Sequence, residues 1–153
     1  MAIEAPISKH KKTNLIIYIV VCLAIGIWCI YDGYFNEAWI KEHTNVDGTP
    51  QFYLVLNRKA WPFFLGGAGL LGVYLLAIRS KKVIAGENEL IISDKEKISY
   101  DSIQKIDKTH FESKGFFIIT YKDNDKREVN RKLSDRTYDN LAAILDELVA
   151  KIS

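Results

Sequence analysis

The sequence predicts an α+β membrane protein, a transmembrane helical hairpin joined to a small antiparallel β domain that a C-terminal α-helix closes. Three observations predict it. Asn14 to Tyr31 and Trp61 to Ile78 are uninterrupted apolar stretches without a charged side chain, short β-branched runs separated by polar turns follow Arg79, and a helical period takes over from Tyr138. The implied division is residues 1–13 as an N-terminal segment, 14–31 as the first span, 32–60 as a loop, 61–78 as the second span and 79–153 as the β domain.

Each apolar stretch has about the 18 residues that mark a membrane-spanning helix, since a hydrocarbon core of roughly 30 Å is crossed at 1.5 Å per residue. In lipid the backbone must satisfy its own hydrogen bonds, so a span is helical. A buried helix pair in a soluble protein is the rival, but the charge-rich remainder offers too little apolar surface to wrap two such helices. Lys9, Lys11 and Lys12 precede the first span, and Arg79, Lys81 and Lys82 follow the second. The intervening loop sets Lys41, Arg58 and Lys59 against Asp32, Glu37, Glu42 and Asp47. The positive-inside rule then puts both termini in the cytoplasm of a multi-pass protein of the inner (cytoplasmic) membrane. With no small-residue cleavage signal after Ile30, the first span reads as an uncleaved signal anchor.

Trp28, Tyr31, Tyr34, Phe35 and Trp39, with Trp61, Phe63 and Phe64, suit the membrane–water boundary. Tyr31 to Ile40, broken at Asp32-Gly33, suits either an interfacial segment or a partner surface. The stretch from Thr44 to Pro50 reads as a loop tip. Glu37, Glu42, His43 and Asp47 are explained by solvation better than by a metal site. In the second span, Gly66, Gly67, Ala68, Gly69 and Gly72 form a flat strip for helix packing, with Ala68 and Gly72 a small-xxx-small pair. The first helix, with Ala24 and Gly26, is the expected partner, and dimerisation is the competing use. Cys22 and Cys29 read as small apolar packing residues.

In the β domain, Glu89–Ser93, Lys97–Tyr100 and Ser102–Ile106 are expected strands, with a turn over Ser93–Glu96. Lys114–Lys122 is the strongest strand, and a turn at Asp123–Asp125 leads into Arg127–Arg131 as an antiparallel hairpin. From Tyr138 to Ile152, Leu141, Leu145, Leu148, Val149 and Ile152 share one face, giving an amphipathic helix that covers the sheet.

That order of elements, with the stretches Lys97-Ile98-Ser99-Tyr100-Asp101-Ser102-Ile103-Gln104-Lys105-Ile106-Asp107 and Lys114-Gly115-Phe116-Phe117-Ile118-Ile119-Thr120-Tyr121, resembles the pleckstrin-homology-like fold. It is similar in particular to small bacterial domains of this type attached to paired transmembrane helices. The resemblance covers Val83 to Ile152 and implies a non-catalytic binding module for lipid headgroups, peptides or neighbouring copies. A domain this short leaves a sheet edge open to a partner strand. Lipid-binding members use a basic loop between the first two strands. The corresponding turn, Ser93–Lys97, has its two lysines offset by two acids, which leaves Arg127, Arg131, Lys132 and Arg136 as a possible basic interaction strip.

No nucleophile with a base, no metal-ligand spacing and no phosphate-cradling loop is present in the pattern, and His10, His43 and His110 are scattered. No catalytic, cofactor-binding or metal residues are therefore assigned. A net charge of +2, with 15 Lys/Arg against 14 Asp/Glu from Arg79 onward, argues against a nucleic-acid partner. Spans without ionisable residues give no signal of transport. The expected partners are the lipid bilayer and either another protein or a second copy. An accessory subunit of a larger membrane complex is the alternative reading, and a membrane-bound enzyme the third.

Overall fold

The computed structural model describes residues 2–93 and 95–152. Asp94, within the expected turn Ser93–Lys97, lies outside the described residues, as does Ser153. The chain forms two compact units, Thr13–Leu76 and a second built from Met1–Lys12 together with Ala77–Ser153. The architecture is α+β, with two antiparallel sheets and two long apolar helices.

In the helical unit, α1 (Lys9–Ile30) runs on into a π-helical turn at Tyr31–Phe35, followed by the short α2 (Glu37–Glu42) and by α3 (Phe52–Ile78). The two helical runs Lys9–Phe35 and Phe52–Ile78 are each 27 residues, long and apolar enough to cross a membrane. Helix α3 begins at Phe52 rather than Trp61, because Asn57, Arg58 and Lys59 interrupt the apolar pattern without interrupting the backbone helix. Pro62 sits inside it. A proline has no N–H for the carbonyl four residues back, here Arg58 O. The Tyr34 hydroxyl donates to that oxygen at 3.2 Å, so the freed acceptor is used.

The helices approach through glycines of the first helical run, not through the strip on α3. A Cβ added at Gly26 would stand 2.7 Å from Leu65 Cδ2, and one at Gly33 would stand 3.2 Å from Arg58 Cγ. Gly26 and Gly33 are one heptad apart, as are Leu65 and Arg58, so one face of each helix meets the other. The expectation that the first helix covers the α3 strip is therefore corrected for its glycines. No atom lies within 4 Å of a Cβ built at Gly66, Gly67, Gly69 or Gly72, although Ala68 is buried. Ala24 is exposed.

The other unit contains two sheets. The first has the order β1 (Ile3–Pro6), β2 (Lys82–Ala85), β3 (Glu89–Ser93), β4 (Glu96–Ser99), and all its pairs are antiparallel. The second has β5 (Ile103–Asp107), β6 (Phe116–Lys122) and β7 (Glu128–Ser134), again antiparallel. A 3-10 turn at Tyr100–Ser102 links the sheets, a short α4 (Phe111–Lys114) precedes β6, and α5 (Leu141–Ile152) ends the chain. Side chains alternate in and out along β6, as period-two geometry requires. Val83, Leu90, Ile98, Phe117, Ile119, Leu133, Ile144 and Leu148 are at most 1% exposed and form one core. Helix α5 packs on β1, β2 and the 3-10 turn, presenting Leu141, Ile144, Leu145 and Leu148 at helical spacing.

The N-terminal segment differs most from expectation. Residues 3–6 are not a free tail but the edge strand β1, pairing Ile3 with Ala85 and Ala5 with Val83. The edge of β2 is thus covered from the same chain, while β4, β5 and β7 remain outer strands of their sheets, and the whole helical unit lies in sequence between the first and second strands. Pro6 is tolerated because it ends an edge strand, and its carbonyl accepts from Asp139 N at 2.8 Å. Ala5 and Ile7 are 0% and 3% exposed, and Ile7 forms a bridge with Tyr138. This bridge, with Asn140 at φ 61°, delays the start of α5 from the expected Tyr138 to Leu141. The N-terminus of α1 is held in the same unit: Asp139 Oδ2 accepts from Lys9 N at 3.0 Å, where a carboxylate complements the helix dipole.

Candidate functional site

The basic residues singled out in the sequence lie on and around β7, the outer strand of its sheet. Alternation splits them. Arg131 shares the inward face with Val129 and Leu133 and donates to Glu96 Oε2 at 2.9 Å, whereas Lys132 points outward. Lys132 pairs with Ile118 in register and holds its Nζ 3.7 Å above the centre of the Phe116 ring. Phe116 faces this way because α4 ends at Gly115, whose φ of 68° turns the chain into β6. Gly115 O accepts from Asp135 N at 2.8 Å, closing the base of the site.

Two adjoining clefts result. One, of about 280 Å³, is lined by Ser113, Lys114, Phe116, Lys132, Ser134 and Arg136. The other, of about 440 Å³, is lined by Arg131, Lys132, Leu133, Ser134, Arg136, Thr137 and Tyr138. Lys132 and Arg136 belong to both, Lys114 joins them, and Arg127 lines neither. The proposed strip is therefore a three-cation cleft with Arg131 tied to an acid and Arg127 in the preceding turn. Burial raises the pKa of Tyr138 above the usual phenol value. Converging cations, two serine hydroxyls and a strand edge suit an anionic group or an extended peptide. Asp135 packs against Gly115 and moderates the positive field.

Among the described residues no three His, Cys, Asp or Glu side chains converge as a metal-ligand set. In the loop, Asp47 accepts from the Thr49 backbone N–H at 3.0 Å and also from its hydroxyl, which lowers its pKa. The His43 ring stacks on Trp39 at 3.6 Å.

A second cluster, in the helical unit, was not singled out in the sequence. Asp32, read there as part of a chain break, is only 7% exposed. Its carboxylate accepts from Trp28 Nε1 and from Asn36 Nδ2, the latter at 2.9 Å. The π-helical turn places Asp32 in a cleft of about 260 Å³ lined by Ile25, Trp28, Cys29, Asp32, Trp39, Tyr53 and Asn57. The available signal was the i, i+4 spacing of Trp28, Asp32 and Asn36.

Compared with known families, curated proteins and solved structures, the chain matches no family model, no curated protein and no solved structure.

Proposed function

We propose that this chain is a non-catalytic interaction or scaffolding module, a pleckstrin-homology-like domain tethered to the inner membrane by two spanning helices. The observation that carries the reading is the arrangement, among the described residues, of seven strands as antiparallel sheets of four and three with a C-terminal helix packed on the first of them. The exposed apolar side chains of the long helices, Ile17 at 50%, Leu70 at 75% and Val73 at 66% among them, support a lipid environment. Lys9, Lys11 and Lys12 in the first turn of α1, with Arg79, Lys81 and Lys82 after α3, support cytoplasmic termini. The Lys114, Lys132 and Arg136 cleft supports an anionic group on the partner.

Native mass spectrometry of the full chain in mild detergent tests this. A lipid or protein should travel stoichiometrically with the wild type and be lost from Lys132→Glu/Arg136→Glu. Equal retention by both chains, or nothing bound by either, sinks the reading. The full chain is required, because a fragment starting at Val83 lacks β1.

The open glycine face of α3 favours a second reading, an accessory subunit whose spans pack against another membrane protein. Gly69→Leu and Gly72→Leu should then lose co-purifying subunits, and unchanged co-purification removes this version.

A further inference from the structure

Asp32 is a carboxylate withdrawn from water, and none of the ion pairs among the described residues involves it. Arg58 forms no ion pair with it: its Nε donates to Gly33 O at 2.8 Å and its guanidinium lies 5.7 Å from the centre of the Tyr34 ring. Two neutral donors, Trp28 and Asn36, orient the carboxylate without cancelling its charge. An uncompensated carboxylate in apolar surroundings is costly, and a cation removes much of that cost.

Aromatic residues line the cleft beside it. Trp28, Trp39 and Tyr53 line it together with Asp32 and the Asn57 amide. Aromatic walls attract cations through the ring quadrupole, and several such walls around one carboxylate are the pattern that recognises ammonium groups. Trp39 adds a further feature, an indole Nε1–H buried without an acceptor. A ligand oxygen that reached that donor would supply the acceptor it lacks. A π-helical turn, a feature frequent at functional sites, places Asp32 here.

We propose that this cleft binds an ammonium group borne on a small molecule that also carries an oxygen acceptor, with Asp32 as the counter-charge. The amino alcohol ethanolamine, free or as a phospholipid headgroup, has this chemistry. The assignment does not depend on the role of the β domain, since every residue involved lies within Thr13–Leu76.

The experiment uses the full chain in an uncharged detergent, with Trp61→Phe to leave the two cleft indoles as reporters. Ethanolamine and phosphoethanolamine should each change the fluorescence saturably, while ethanol and inorganic phosphate should not. Asp32→Asn should weaken binding by about tenfold or more, the scale of losing a charge-assisted contact. Tyr53→Leu, at an exposed wall, should weaken it by about threefold or more and serves if Asp32→Asn does not fold. A response already saturated in phosphatidylethanolamine discs but not in phosphatidylglycerol discs identifies the headgroup as the source. A response to soluble amine alone, in both discs, identifies a free ligand. No saturable response to any of these amines, or unchanged affinity in the folded variants, overturns the proposal.

Discussion

Replacing Ile7 by Ala should unsettle the whole β domain although residue 7 lies beyond the residues to which its fold is sequence-local. Ile7 is 3% exposed, bridges Tyr138, and donates its N–H to Lys81 O at 3.2 Å, so it joins β1, the start of β2 and the approach to α5. Truncating a buried isoleucine to alanine costs about 2–5 kcal/mol, through lost burial and the cavity left behind. With tenfold per 1.4 kcal/mol, protection of the slowest-exchanging amides should fall by about 30-fold to several thousand-fold. Hydrogen exchange of the full chain, read by mass spectrometry on Val83–Ala85 and Leu141–Leu148, measures this. Ile16→Ala, at a half-exposed position of α1, is the control and should leave those amides unchanged. Protection lost only around residues 3–7, with the core amides as slow as before, would show that β1 is a dispensable appendage and refute the reasoning.

Three further outcomes are expected. Tyr34→Phe removes the donor to Arg58 O and should cost about 1 kcal/mol in unfolding of the helical unit, followed by tryptophan fluorescence; Pro62→Ala in the same chain should restore it by supplying an N–H, and additive losses would contradict the pairing. Gly115→Ala should lower the melting point of the β domain by an amount equivalent to about 2 kcal/mol or more, because φ is 68° and the new Cβ meets the Asp135 carboxylate. Asp135→Ala should relieve only the second part, and full rescue would leave the backbone argument wrong. Hydrogen bonds from the Lys9 backbone N–H and the Ser8 hydroxyl hold the Asp139 carboxyl below its usual pKa. Its contribution is therefore present above the ordinary carboxylate range and lost as pH falls through the depressed folded value. Asp139→Asn should shrink the acid-side loss of stability, measured by melting between about pH 7 and pH 3, while Asp107, lowered by Thr109, keeps its share. An identical acid limb in both chains would show that Asp139 is not coupled to folding.

The sequence by itself determined the elements whose signal is local. Two apolar runs without charge specify two long helices. Short apolar, β-branched runs between polar turns specify β3 and β6, and Leu141, Leu145 and Leu148 mark the buried face of α5. A hairpin with a polar turn was legible for the same reason, since β6 and β7 are neighbours along the chain. The basic cleft was legible only as residues: Arg127, Arg131, Lys132 and Arg136 look equivalent in a string. Strand alternation turns Arg131 and Lys132 to opposite faces, and α4 brings in Lys114.

What only the tertiary structure decided depends on partners far apart in sequence. Ile3–Pro6 is too short and too close to a basic cluster to announce a strand, and becomes one because β2, nearly eighty residues later, offers an unpaired edge. Whether the α3 glycines or Gly26 and Gly33 meet the opposing helix depends on which faces turn together, which hydrophobicity does not specify when both helices are apolar all round. Asp32 next to Gly33 reads locally as a break. A π-helical turn keeps the backbone helical there, and Trp28, Asn36 and the α3 residues Tyr53 and Asn57 make it the centre of a cleft. Local sequence sets which segments are helix or strand; the burial of a carboxylate and the filling of a sheet edge are properties of the assembled chain.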